Sequence, residues 1–431
     1  MYSNNWEEKK ISELIEEFVR GISYSSEDIS NPSGIPMMNL ASIDKAGYYR
    51  EGEMKFYSGR YSEANKVHSG EMLIACTDLT RDANIIGTPI KVPYGDDFYL
   101  FTMDLAKLTP RSELIDADFL YYALKTSTYR RYIKPWASGT NVLHLNLKGV
   151  YDYKLKFPKD ISAQKSIASL LSNIDRKIAL NRQINDNLEA MAKQLYDYWF
   201  VQFDFPNEEG KPYKSSGGKM VWNEKLKREI PEGWDADALN TWLEIKSGFP
   251  FKSETYQTTG RYKVITIKNV QDGELVTSGC DFVEEIPSRA KEYIALKIGD
   301  RLISLTGNCG RLCVVCEENL LLNQRVGLLS CNSLYLEYLY NLLNSQPMRM
   351  VVDNLANGAA QANLSPVELC KTIGAMPQED TLLEYNRKAN VFRLAMVQNN
   401  QEIATLAKQR DELLPLLMNG QVSVNYHLSD D

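Results

Sequence analysis

With 431 residues the chain is too long for one hydrophobic core and suits two or three domains of about 100–200 residues each. A hydrophobic share of 44% and a charged share of 24% exclude a disordered or fibrous chain, and no apolar run approaches the roughly 18–20 residues that span a bilayer. The net charge of −7 gives little long-range pull on a polyanion, while seven scattered cysteines and an N-terminus, MYSNNWEEKK, without a signal-peptide core predict reduced thiols in a cytoplasmic protein.

From the N-terminus, Trp6 and the following KISELIEEFVRGISY predict a short opening strand and helix closed at Gly21. Strand-like runs follow, IPMMNLASI ending at Ile43 and SGEMLIACT ending at Thr77. A helix is expected over FLYYALKTSTYRRYI from Phe119, then Ala137-Ser-Gly-Thr-Asn, then an apolar segment ending in Phe157-Pro158.

The stretch from Asp160 to Phe200 organises the rest. Placing Ile167, Ile174, Asn181, Leu188 and Leu195 at heptad position a puts Leu170, Lys177, Ile184, Met191 and Tyr198 at position d, an apolar seam of coiled-coil spacing. Such a seam needs a partner helix. Between Asp380 and Leu417, Ala389, Phe392, Met396, Asn399, Ile403, Leu406, Leu413 and Leu417 step by three and four, with Arg410 as the single break. Each helix carries one Asn in its seam, a residue that fixes register and partner choice, so the pair reads as an intramolecular coiled coil. The alternative is two amphipathic helices packed on separate cores.

After the first long helix, Phe203 to Pro231 is rich in Gly, Ser, Lys and Pro and reads as a connector. Its Lys211, Lys214, Lys219, Lys225, Lys227 and Arg228 fit a solvated linker or a phosphate contact. The opening signature then returns at Trp234, as WDADALNTWLEIKSGFPF closing at Gly248. YKVITIKNV ends at Val270, IGDRLISLT at Thr306, and LEYLYNLLNSQPMRM matches the earlier helix, followed by Ala356-Asn-Gly-Ala-Ala and a segment ending in Met376-Pro377. A period of roughly 220–230 residues means a duplicated domain, because each copy can own a core. The expected divisions are residues 1–158 and 232–377 for the two copies, 159–201 and 378–420 for the long helices, 202–231 for the connector and 421–431 for a tail.

Catalytic motifs are missing. No Walker A string occurs, since Gly218-Lys219 is followed by Met220, and Asn31-Pro32-Ser33-Gly34 is a turn rather than an amino-methyltransferase loop. Asp204, Glu209 and Lys211 loosely resemble a nuclease metal site but sit in a glycine-rich connector. His68, His144 and His427 lie far apart in sequence. Cys309, Cys313, Cys316 and Cys331 have spacings open to zinc, yet Cys313 and Cys316 lie on a strand-like run and read better as small buried hydrophobes. No catalytic or metal-ligating residue is assigned.

What remains suits the reading of nucleic acid. The first copy offers Arg50, Arg60, Asn65 and Lys66 among tyrosines, then Thr77, Arg81 and Asn84. The second offers Lys268, Asn269 and Gln271, then Thr306, Asn308, Arg311, Asn323, Gln324 and Arg325. Arg, Asn and Gln make bidentate contacts with guanine and adenine edges, and Lys and Tyr serve phosphates. Tyr129 to Lys156 is basic and aromatic too, through Arg130, Arg131, Lys134, Trp136, Lys148, Lys154 and Lys156. Taken singly, each could be an ordinary surface residue.

Particular strings resemble the specificity (S) subunit of type I restriction-modification systems: Gly139-Thr140 through Leu145-Asn146, the run SIASLLSNIDRKIALNRQINDNLEAMAKQLYDYWFVQFDFP, the connector GKPYKSSGGKMVW, and Ile230-Pro-Glu-Gly-Trp234. The second half departs from the first, with Gly358-Ala359 where the first has Gly139-Thr140 and no Ile-Asp-Arg-Lys-Ile pattern in its closing helix. The resemblance implies an α+β chain with two similar mixed α/β target recognition domains, separated by an antiparallel pair of long coiled-coil helices in a pseudo-two-fold arrangement. It implies a non-catalytic subunit that binds double-stranded DNA, each domain reading half of a split asymmetric target. It further implies that the helices act as spacer and dock for two modification (M) subunits, through seam residues Ile167, Ile174, Asn181, Leu188, Leu195, Phe392, Asn399, Leu406 and Leu413. S-adenosylmethionine for adenine methylation, and ATP and Mg for the restriction (R) subunits, are expected on those partners, with no cofactor on this chain and no membrane contact. A stand-alone DNA-modifying enzyme and a protein-binding scaffold are the two alternatives of other classes.

Overall fold

A computed structural model describes residues 5–29, 33–44, 47–50, 52–79, 83–356 and 362–424. Arg81, Gly358-Ala359 and His427 lie outside the described residues. The chain divides into two compact units, Met1–Lys177 with Leu406–Asp431, and Ile178–Thr405.

In the first unit an antiparallel sheet runs in the order Ile15–Arg20, Leu105–Pro110, Met72–Ala75, Pro89–Lys91. All four residues of Met72–Ala75 are buried, which is why this strand is a continuous apolar run rather than an alternating one. In a second sheet, Ile35–Met38 pairs antiparallel with Lys55–Tyr57 and parallel with Leu100–Phe101. The strand Trp6–Lys10 lies antiparallel to Lys154–Pro158, with Trp6 opposite Pro158.

The second unit repeats this wiring. Its antiparallel sheet runs Leu243–Ser247, Val326–Cys331, Arg301–Ser304, Leu312–Val314. Tyr262–Ile265 pairs antiparallel with Asp281–Val283 and parallel with Leu320–Leu322. Asp235–Ala238 closes against Ile373–Met376, with Asp235 opposite Met376. The two predicted closing glycines occupy matching joints: a Cβ on Gly21 would stand 2.2 Å from the Phe101 carbonyl oxygen, and one on Gly248 2.2 Å from that of Leu322. Only glycine lets the backbone pass so near another strand.

Several elements are shorter than their hydropathy predicts. The run IPMMNLASI is a strand only to Met38, because Asn39 then caps a tight helical turn, its Oδ1 accepting from Ala41 N at 2.7 Å. The expected helix from Phe119 is two helices, Ala117–Ala123 and Ser127–Ile133. Thr126 divides them, donating to the Ala123 carbonyl at 2.7 Å and accepting from Tyr129 N at 3.3 Å. Its counterpart is likewise split, into Ser333–Asn344 and Gln346–Ala356, with Pro347 starting the second.

Two helices dominate the chain. The first, Ile161–Tyr196, has 36 residues and continues into a wider turn at Asp197–Val201; the second, Glu379–Met418, has 40. The core of the first unit includes Ile167, Ala168 and Leu171 from one and Leu417 and Met418 from the other. In the second unit Tyr196, Trp199 and Phe200 pack with Leu382, Tyr385, Ala389 and Val397.

The predicted a column of the first long helix turns inward, with Ile167 and Asn181 buried and Ile174, Leu188 and Leu195 half-buried. Its predicted d column needs correction. Lys177 is exposed, as are Ile184 (38%), Met191 (49%) and Tyr198 (40%), while Leu170 is half-buried. Leu171, Ile178, Asn185 and Ala192 take their place, one position further along. Residues three and four ahead both neighbour an a position on a 3.6-residue helix, so spacing alone does not choose between them. On the second long helix Ala389, Met396 and Leu417 are buried, and Phe392, Asn399, Ile403, Leu406 and Leu413 are half-buried.

Candidate nucleic-acid interface

In the first unit Arg50, Arg60, Lys66 and Asn84 fall on loops, whereas Asn65 ends the helical turn Glu63–Asn65 and Thr77 opens the strand Thr77–Asp78. Arg50 is exposed beside Glu53 at 3.5 Å, and Arg60 is exposed with its carbonyl accepting from Tyr57. Lys66 pairs with Glu63 at 2.7 Å and stands 4.7 Å from the centroid of the Phe98 ring. Asn65 Oδ1 accepts from Ser62 N and Oγ, which shapes the turn. Thr77 is buried and donates to Asp104 at 2.8 Å. Asn84 is exposed, and its carbonyl accepts from Arg130, which also donates to the Ile86 carbonyl. Arg130 therefore braces the loop that presents Asn84.

The loop from Asp44 to Arg50 is pinned at its base. Tyr48 N donates to Asp44 at 2.8 Å, and the Tyr48 ring covers the Lys125 ammonium at 3.2 Å from its centroid. Lys125 donates to Tyr121 Oη at 2.8 Å; burial brings its pKa down to about 7 against the pull of Asp175. Asp175, on the first long helix, accepts from Tyr122 at 2.8 Å and Arg410 at 3.0 Å. Sequence reading placed Tyr48 among the nucleic-acid-reading tyrosines around Arg50 and missed Lys125 and Asp175. Beside it only Arg410 carried a signal, as the break in an otherwise apolar column.

In the second unit, Lys268, Asn308, Gln324 and Arg325 are exposed. Arg311 donates to Gln271 Oε1, so these two candidates meet, with Asp272 3.9 Å from the guanidinium. Asn269 is buried: its Oδ1 accepts from Thr266 N at 2.8 Å and its Nδ2 donates to the Val276 carbonyl at 2.9 Å. Asn323 is buried too, with Oδ1 accepting from Arg325 N. Thr306 Oγ1 is buried without a partner among the described residues. In this conformation Thr77 is tied to the Asp104 side chain, and Asn269 and Asn323 hold backbone turns, whereas the exposed set faces solvent.

The second unit also holds a buried ion network. Glu337 is buried between Arg301 and Arg393; the Arg393 guanidinium also meets Glu189 of the first long helix at 3.4 Å. Burial opposes the Arg393 charge, but Glu337 and Glu189 outweigh it and hold its pKa above the ordinary guanidinium value. Nearby, Asn181 donates to Glu402 at 2.8 Å, Asn185 to Asn400 at 2.8 Å and Asn399 to Asn185 at 2.9 Å. The two seam asparagines thus find other partners than each other, and within this unit the helices run antiparallel. Among the described residues no group of His, Cys, Asp or Glu side chains is arranged to hold a metal ion.

Residues 3–190 match the model of the type I restriction modification DNA specificity domain. Over 328 residues the chain is 25% identical to the type I restriction enzyme MjaIX specificity subunit of Methanocaldococcus jannaschii, covering 72% of this chain and 69% of that protein. The chain is thus similar to type I restriction enzyme specificity subunits over most of its length. Two further similar proteins are the MjaVIII specificity subunit of the same organism, 26% identical over 75% of each chain, and the HindI specificity subunit of Haemophilus influenzae, 23% identical over 76% of this chain and 82% of that protein. The crystal structure of the S subunit of a type I restriction-modification system from M. genitalium shares the fold of this chain, with a TM-score of 0.58 at 18% identity over 97% of both chains.

Proposed function

We propose that the chain is the DNA-reading, non-catalytic subunit of a type I restriction-modification system, and that its two copies read the two halves of a split asymmetric target. The observation that carries this is the duplicated wiring, which gives each unit its own sheets, its own closing strand pair and its own exposed loops bearing Arg, Asn, Gln and Lys. The recognition domains are residues 1–158 and 232–377. Exposed Arg50, Arg60 and Asn84 serve the first half-site; Asn308, Gln324 and Arg325 serve the second.

Adenine methylation and cleavage belong to partner M and R subunits in this reading, which bring S-adenosylmethionine, ATP and Mg. The exposed apolar column Leu180, Ile184, Met191 and Tyr198 on the first long helix supports docking of a partner helix. Methylome sequencing of host DNA with and without the gene tests the assignment: loss of methylation at one bipartite motif is expected, and an unchanged methylome overturns it.

A further inference from the structure

One corner of each unit is matched hydrogen bond for hydrogen bond. In the first, the backbone N–H groups of Thr102, Met103 and Cys76 donate to the carbonyls of Met38 at 2.9 Å, Ile22 at 2.8 Å and Asp104 at 2.7 Å. In the second, those of Asn323, Gln324 and Leu305 donate to the carbonyls of Ile265, Phe249 and Arg325, each at 3.0 Å. Thr102, Met103 and Asp104 therefore stand where Asn323, Gln324 and Arg325 stand in the other copy. Beside them Thr77 pairs across strands with His144, and Thr306 with Asn363. Each corner adjoins a loop with a candidate base reader. Asp78, next to Thr77, accepts from the backbone of Ile85 and Ile86 beside Asn84, and Asn308 follows Thr306 by two positions.

On this shared backbone the side chains differ in charge. Asp104 is half-buried and held in place, its Oδ1 accepting from Thr77 at 2.8 Å and its Oδ2 lying 3.5 Å from Thr102 Oγ1. A carboxylate has about four lone-pair sites, so acceptor capacity is left over. Arg325 is exposed, and its guanidinium has no partner among the described residues. Thr306 lacks the carboxylate that its counterpart meets, which accounts for its buried hydroxyl standing without a partner among those residues.

DNA is a polyanion, so a carboxylate on a reading face is favourable only where a base offers it a donor. Cytosine presents its N4 amino group alone in the major groove, while adenine sets the N7 acceptor beside N6, which suits an amide rather than a carboxylate. Guanine presents two acceptors, O6 and N7, which a guanidinium meets bidentately. Resting on the function proposed above, we infer that this corner fixes one base pair in each half-site: Asp104 takes the N4 amino group of a cytosine in the first, and Arg325 takes O6 and N7 of a guanine in the second. One repeated backbone thus selects a G·C pair from its cytosine in one unit and from its guanine in the other.

The test is methylation by the complex rebuilt from the full chain, M subunit and S-adenosylmethionine, acting on duplexes randomised across both half-sites and then sequenced. The native complex should select a bipartite motif with at least one G·C pair in each half. Asp104→Asn keeps an acceptor for Thr77 and Arg325→Gln alters an exposed side chain, so neither should move the melting temperature. Asp104→Asn should weaken the preference for one C·G pair of the first half-site by about tenfold or more, and Arg325→Gln that for one G·C pair of the second, the other half-site being unchanged in each case. Variants that keep every preference overturn the inference, as does an Arg325→Gln complex weakened on all sequences alike, the mark of a phosphate contact. A bipartite native motif with only A·T pairs in either half overturns it too. A native complex that selects no bipartite motif overturns the proposed function, and this inference with it.

Discussion

Arg410 Nη1 meets Asp175 Oδ1 at 3.0 Å, joining the two long helices inside the first unit at the one point where the apolar column of the second helix fails. Both side chains are more than four-fifths buried, and Asp175 also accepts from Tyr122. Asp175→Leu leaves the guanidinium only the exposed Asp411 carboxylate, at 2.8 Å, and should destabilise the chain by about 1–3 kcal/mol. Arg410→Leu with Asp175→Leu should recover more than half of that loss, because an apolar pair of similar volume needs no desolvation. Urea unfolding of the three proteins checks this; a double variant as unstable as the single one would contradict it.

Burial of the seam separates stability from docking. Ile178→Ala, at a fully packed position, should cost about 2–4 kcal/mol. Ile184→Ala, at an exposed one, should stay within about 0.5 kcal/mol yet weaken capture of the M subunit. Thermal melts and pull-down of purified M subunit report the two effects independently.

Half-site reading should be separable from assembly. Asn84→Ala should reduce recognition of the first half-site alone, and Asn308→Ala of the second alone, by about 1–3 kcal/mol. Ile178→Asp should lose both together, since a carboxylate without a partner in the seam disrupts the fold. Methylation of DNA altered in either half-site, with complexes rebuilt from each variant, distinguishes these patterns.

Lys125 sets a pH dependence. Its folded pKa of about 7 lies below the ordinary 10.5, so between those values the unfolded chain holds a proton that the folded chain has released. The penalty is therefore complete below pH 7 and is relieved as pH rises through this window, with a slope of at most ~1.4 kcal/mol per pH unit. Burial pushes the Cys76, Cys280 and Cys331 thiols up to about 11, which acts in the opposite direction near pH 9 and above. Comparison with Lys125→Met cancels the thiols. From pH 7 to 9 the native protein should gain about 1–2 kcal/mol relative to the variant in urea unfolding, after allowance for partial solvent screening; equal slopes would remove Lys125 as the cause.

The acidic total should show in DNA affinity. A chain of net charge −7 has little long-range attraction for duplex DNA, so the isolated subunit should bind weakly and gain affinity when M subunit is added. Tight binding by the isolated chain at physiological salt, measured by fluorescence anisotropy, would refute this.

Much of the fold was legible because strong local signals agreed with the tertiary outcome. The glycines after the opening strands, the repeat from Trp6 to Trp234 and both long helices left marks in composition and period. The second seam column did not, since Ile184, Met191 and Tyr198 are more apolar than Asn185 and Ala192, and hydropathy favours them. Their exposure depends on which side of the helix the unit's core occupies, a fact outside the helix itself. At the candidate interface, residue type could mark Asn269 and Asn323 as readers of bases but could not reveal that both side chains face inward to hold turns. Lys125 was invisible for a related reason: its surroundings come from a loop 77 residues earlier and from a helix pair far along the chain.

The closing strand pairs set Trp6 beside Pro158 and Asp235 beside Met376, so each copy of the repeated wiring is entered and left through a single doorway. A half built this way is a cassette. On the proposed function, a segment exchanged between such paired ends would carry its exposed loops with it and leave the sequence of the long helices as it was.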